Sequence, residues 1–60
     1  GLSFAAARQL AIEAFEADYV RELLDATHGN VAEAARRAKV SRSYLTRVIR
    51  RRKIPIRRRD

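Results

Sequence analysis

The chain has no cysteine, a single histidine, one proline and two glycines in its 60 residues. Without cysteine no disulfide can staple a small fold, and one histidine with no thiolate excludes an ordinary zinc site. The same absences remove most routes to catalysis. His28 has no cysteine or serine nucleophile at a useful spacing. It stands just before Gly29, where a helix should end and where an imidazolium suits the negative pole of the helix dipole. The carboxylates Glu13, Glu16, Asp18, Glu22 and Asp25 are spaced like an exposed helix face. Asp18 with Arg21, and Arg21 with Asp25, are surface pairs three and four residues apart rather than an acid/base couple. No glycine-rich phosphate loop is present, so neither enzymatic activity, nor a cofactor, nor a metal is expected of this chain. No apolar run approaches the ~20 residues of a membrane span, and no signal peptide is visible. A cytoplasmic location with no membrane partner is expected.

Acidic residues are concentrated at one end. Residues 1–35 carry six of them against two basic ones, whereas residues 36–60 carry twelve basic residues and one acidic. The formal net charge of +7 therefore hides a strongly basic C-terminal half, which points to a polyanionic partner.

From about Ser3 to Thr27 the chain has no glycine or proline and is rich in Ala, Leu, Glu and Arg. It reads as one long helix, with Ser3 as N-cap and Gly29 as the left-handed residue that ends it. One apolar stripe runs Phe4, Ala7, Ala11, Ala14. Another runs Ile12, Phe15, Tyr19, Leu23, with Val20 and Leu24 beside it. At 1.5 Å per residue this helix is about 37 Å long, more than two short helices can cover. A chain of this size also buries only about 60% of its unfolded surface and is marginal alone. The first half, through Phe4, Ala7, Ala11, Ile12 and Phe15, is therefore expected to pack against a second copy in a two-fold dimer.

A second helix is expected over about 30–38. Asn30 is a strong N-cap, and Glu33 is placed to return a bond to its amide. Val31, Ala34, Ala35 and Ala38 make one inward face, built of small residues so that a crossing helix can come close. The turn is Lys39-Val40-Ser41, with Val40 as its apolar plug and Ser41 as the next N-cap. A third helix is expected over about 42–52, ended ahead of Pro55. Two short helices joined by a tight turn, the second studded with arginine, form a helix-turn-helix whose second helix fits the major groove of double-stranded DNA.

On that helix Leu45 and Ile49 centre the buried face, with Val48 flanking, while Ser43, Thr46, Arg47 and Arg50 lie opposite. Arg42 and Tyr44 stand on either shoulder of the first turn. Such helices read bases from their N-terminal turns, so Arg42, Ser43, Thr46 and Arg47 are the expected base contacts. Tyr44 is expected on a backbone phosphate or in the core. Further phosphate contacts are expected at Asn30 and the Ser41 amide region, and along Arg50, Arg51, Arg52 and Lys53. The tail at 55–60, with Arg57, Arg58 and Arg59, is expected along the backbone or in a minor groove.

The set Phe15-Glu16, Tyr19-Val20, Leu23-Leu24, Thr27, Gly29-Asn30-Val31, Ala34-Ala35-Arg36, Val40-Ser41-Arg42, Leu45 and Ile49-Arg50 resembles the Fis-type DNA-binding domain. That domain occurs in a bacterial nucleoid protein and at the C-terminus of NtrC-type activators of sigma-54 RNA polymerase. The resemblance implies an all-α, symmetric dimer built on the long helix and bound to an inverted repeat. It also implies base contacts from Ser41, Arg42, Thr46 and Arg47 and a phosphate contact near Asn30. Contact with sigma-54 holoenzyme would run only through other domains of the parent protein. Residues 1–60 are then expected to be one DNA-binding domain of such an activator, nucleoid-associated in the cell. The alternatives are a free-standing DNA-bending nucleoid protein, the DNA-binding domain of a recombinase, or a helical protein-interaction module. Two features depart from the family pattern. Lys39 stands where glycine is usual in the turn, and the arginines toward the end are unusually many.

Overall fold

A computed structural model describes residues 1–57; Arg58 and Arg59 of the expected basic tail lie outside the described residues. The described chain is all-helical, with α1 (Phe4–Ala26), α2 (Val31–Ala38) and α3 (Arg42–Arg52), and has no strand. Each helix begins at the expected side-chain cap. Ser3 Oγ accepts the Ala6 amide at 3.1 Å, Asn30 Oδ1 the Glu33 amide at 3.1 Å, and Ser41 Oγ the Tyr44 amide at 3.0 Å. Each cap satisfies an amide that the helix leaves without a carbonyl and stabilises it by about 1 kcal/mol.

The three helices also end alike. The Gly29 amide donates to the Leu24 carbonyl at 2.8 Å, Val40 to Ala35 at 3.1 Å, and Ile54 to Ile49 at 3.0 Å. In each turn the residue just before the donor is left-handed: His28 at φ 54°, Lys39 at 60° and Lys53 at 55°. This reversal satisfies the last carbonyls and folds the following residue back over the helix end. Gly29, at φ 80°, is left-handed as expected, but the first left-handed residue after α1 is His28. Lys39 keeps the left-handed turn that glycine would fill without strain. The Thr27 hydroxyl strengthens the end of α1 by donating to the Leu23 carbonyl at 2.9 Å.

The core lies where the three helices meet. Val20 and Leu24 come from α1, Ala34 and Ala35 from α2, and Leu45, Val48 and Ile49 from α3, with Ile54 closing the far end. Leu23, Val31 and Val40 pack against this cluster, so Val40 is the apolar plug expected of the turn. The inward stripe of α1 is Val20, Leu24 and Thr27. Of the expected stripe, Val20 and Leu24 are buried and Leu23 packs beside them, while Tyr19 is 44% exposed and Phe15, expected at the contact with a second copy, is 63% exposed. Ile54 also joins the core unforeseen, because the reversal at Lys53 carries it back over Ile49. The first two turns of α1 are uncovered, leaving Phe4 84% and Leu10 52% exposed, and the molecule measures 46 × 19 × 16 Å.

Two stability predictions follow from this packing. Lys39→Gly should stabilise by about 0.5–1 kcal/mol, because the left-handed penalty on a side chain outweighs glycine's extra unfolded-state entropy. At fixed protein concentration, thermal unfolding should then rise by roughly 2–8 °C. Ala35→Leu should cost about 1–3 kcal/mol by forcing α2 off its neighbours, read in the same experiment.

Candidate nucleic-acid interface

Successive residues of α3 advance by about 100°, so its faces follow from the sequence once one buried residue is fixed. Leu45, Val48 and Ile49 are buried, and Ser43, Arg47 and Arg50 lie on the opposite, exposed side. Arg42, at the first turn, is also exposed. Thr46, expected opposite the core, is instead half-buried on a shoulder. Ser41 is exposed, and its hydroxyl oxygen accepts the capping bond from the Tyr44 amide. Burying Leu45, Val48 and Ile49 is what holds the polar side outward. The C-terminal reversals that fix Val40 and Ile54 pin both ends of α3.

Asn30 and Arg42 come together. An open cleft is lined by Gly29, Asn30, Val31 and Ala32 at the amino end of α2, by Arg42 from α3 and by Ile56 beyond it. The cap at Asn30 takes the Glu33 amide, so the Val31 and Ala32 amides remain the donors without an intrahelical acceptor. A cationic guanidinium beside two such donors makes this edge attractive to an anion. Tyr44 lies at the edge of the polar face, on the side toward α1. It is 44% exposed and borders an apolar groove with Phe15, Tyr19, Val40 and Val48. Phe15 and Tyr19 stack within that groove with ring centroids 5.5 Å apart. Of the dimer residues expected, Phe4, Ala7, Ala11 and Phe15 are exposed and Ile12 is half-buried.

Two electrostatic expectations are corrected. Glu33 does not return a bond to the Asn30 amide, which donates to the Thr27 carbonyl at 3.1 Å instead. Its carboxylate is drawn away by two arginines one turn on. Arg37 Nε donates to it at 3.1 Å, and Arg36 donates to its other oxygen. These hydrogen bonds, from Arg37 first and then Arg36, hold the Glu33 carboxyl below its ordinary value. The second correction concerns the basic run at the end of α3. Arg50, Arg51 and Lys53 are exposed, as expected of a phosphate-binding strip, but Arg52 turns inward. Its guanidinium lies 3.4 Å from Glu13 Oε1 and 3.4 Å from Glu16 Oε1. Glu13 and Glu16 are therefore half-buried members of an ion-pair cluster, not part of a solvated acidic face. The Asp18–Arg21 surface pair is present at 3.6 Å.

Among the described residues no group of acidic, histidine or cysteine side chains is arranged to hold a metal, and no helix is long and apolar enough to cross a membrane. Three short-turned helices, with a close α2–α3 pair and a basic outward side on α3, define a helix-turn-helix DNA-binding module. A model of the Fis family of bacterial regulatory proteins matches residues 11–51, and the chain belongs to that family. No curated protein and no solved structure gives a significant match. The chain is accordingly a DNA-binding regulatory domain, and the domain itself is not a catalytic one.

The depressed Glu33 carboxyl makes a pH prediction. A group whose folded value lies below its unfolded one adds stability above the unfolded value, about 4.5, and loses it as pH falls through the lower folded value. Glu33→Gln should therefore unfold at a lower temperature than the parent near neutral pH. The gap should close once the pH is taken well below about 4. A gap of constant size down to acid pH would show that the carboxylate's charge is not what matters.

Proposed function

We propose that this chain is the sequence-specific DNA-binding domain, spanning 1–60, of a bacterial transcription activator of the sigma-54-dependent, enhancer-binding type. It acts as a two-fold dimer on an inverted repeat. The observation that carries the DNA-reading part is the division of α3 into a buried Leu45, Val48, Ile49 side and an exposed Ser43, Arg47, Arg50 side. In this reading α3 enters the major groove. Arg42 and Arg47 grip guanine edges through paired N–H donors, while Ser41, Ser43 and Thr46 supply hydroxyls and a methyl group to neighbouring bases. Asn30, with the α2 amides beside it, and Tyr44, Arg50 and Arg51 hold backbone phosphates and set the register.

Dimerisation is supported by the uncovered amino end of α1. Phe4 and Phe15 are too exposed, at 84% and 63%, to be explained by the fold of one protomer. They form the interface together with Ile12 and with Ala7 and Ala11, whose small side chains let two α1 helices approach closely. Any contact with sigma-54 holoenzyme is made by other domains of the parent protein. The exposed cations Arg50, Arg51 and Lys53 favour a second reading, a nucleoid protein that bends DNA with little sequence preference.

Selection from a random duplex pool at physiological salt tests both readings. An inverted repeat should be enriched, and Arg42→Ala should weaken the selected site by roughly 5- to 150-fold, the worth of one bidentate base contact. Enrichment of a lone half-site would overturn the dimer and leave the base reading intact. Tight, salt-sensitive binding with no enrichment would favour the nucleoid reading.

A further inference from the structure

We propose that Arg52 is a positioning residue. It does not hold DNA itself but locks the carboxyl end of α3 to α1, and so sets how the base-reading turns of α3 are presented. By sequence Arg52 belongs to a run of four cations, Arg50-Arg51-Arg52-Lys53. In the fold it is set apart from the other three. Its side chain is only 14% exposed and spans Glu13 and Glu16, whose side chains are 37% and 17% exposed.

The helical phases explain this. Arg52 follows Leu45 by seven residues, about two turns, and so shares its inward side. On α1, Glu13 and Glu16 precede Val20 by seven and four residues and share the inward side with Val20, Leu24 and Thr27. Where the apolar core stops, the facing surfaces of the two helices become acidic on α1 and basic on α3. This charged layer lies between the core and the uncovered amino end of α1.

Its geometry suits positioning better than stability. The Arg52 Nε atom is buried and has no hydrogen bond, with the nearer Glu16 oxygen 3.4 Å away. A desolvated cation with an unmet donor recovers little net free energy from its carboxylates, whereas two carboxylates one turn apart fix where the guanidinium sits. A guanidinium held between them is not available to a phosphate.

The inference rests on α3 being the helix that reads bases. Two variants of the full chain test it, Arg52→Gln and Glu13→Gln/Glu16→Gln, each checked for helix content by circular dichroism. Two quantities are read. One is the affinity ratio between the selected duplex and a scrambled one, in which the altered net charge largely cancels. The other is the slope of log affinity against log salt on the scrambled duplex. Positioning predicts that the ratio falls by roughly three- to tenfold in both variants, part of the worth of one base pair. It also predicts an unchanged salt slope in Arg52→Gln.

A slope shallower by about 0.9 in Arg52→Gln would make Arg52 a phosphate ligand and overturn the proposal. So would a ratio that holds in both variants, or one that falls in Arg52→Gln alone. If Arg52→Gln loses its helices, the glutamate variant, which retains Arg52, decides alone. Arg42→Ala in parallel separates the underlying reading. An unchanged ratio there overturns α3 as the base-reading helix, and this proposal with it.

Discussion

The rest of the domain depends on how closely α2 can approach its neighbours. Ala34 has no exposed surface and Ala35 only 3%. A helix that meets others through methyl groups comes nearer than one that meets them through Leu or Ile, and its backbone then fixes the crossing angle. That contact carries the turn with it. The left-handed Lys39 and the bond from the Val40 amide to Ala35 tie the first residue beyond α2 back onto the same close-packed alanine. The direction in which α3 leaves the turn is thus set by two alanines and one strained lysine.

Much of this was legible in the sequence. Ser3, Asn30 and Ser41 are strong cap residues at the ends of periodic runs, and local chemistry of that kind acts whatever the tertiary context. The Leu45, Val48, Ile49 face was legible because three apolar residues fix a helical phase unambiguously. The inward stripe of α1 was harder to read. Apolar residues occur all round that helix, so several lines through it look equally good, and the expected stripe holds Tyr19 as well as Val20 and Leu24. Only the positions of α2 and α3 select Val20, Leu24 and Thr27. Ile54 was hidden for a different reason. A left-handed lysine, which sequence gives little reason to expect, is what returns it to the core.

The misreadings of charge share one cause. A run of arginines looks like a uniform basic strip, and carboxylates on a helix like a solvated face, unless helical phase is considered for charged residues as it is for apolar ones. Arg52 is in phase with Leu45, and Glu13 and Glu16 are in phase with Val20. Acid and base at the inward phase of two packed helices are the signal of an ion-pair layer, and it was present in the spacing. Glu33 was a competition of another kind. It had a backbone amide within reach at Asn30 and two guanidinium groups one turn along, and hydrogen bonds between charged groups are the stronger.

These internal pairings change what the charge can do outside the molecule. Counterion release depends on the cations that meet phosphates, not on formal charge. Arg36 and Arg37 share Glu33, and Arg52 is taken by Glu13 and Glu16. The formal excess of the C-terminal half therefore overstates the field presented to DNA. Five exposed cations, Arg42, Arg47, Arg50, Arg51 and Lys53, come from α3 and the residue that ends it, beside Lys39 in the turn and the partly neutralised Arg36 and Arg37 on α2. A field weighted toward one helix favours orientations in which that helix faces the duplex, whereas one spread evenly over the surface would be satisfied by many. Internal neutralisation thus trades sequence-independent affinity for orientation, and orientation is what base reading by a single helix requires.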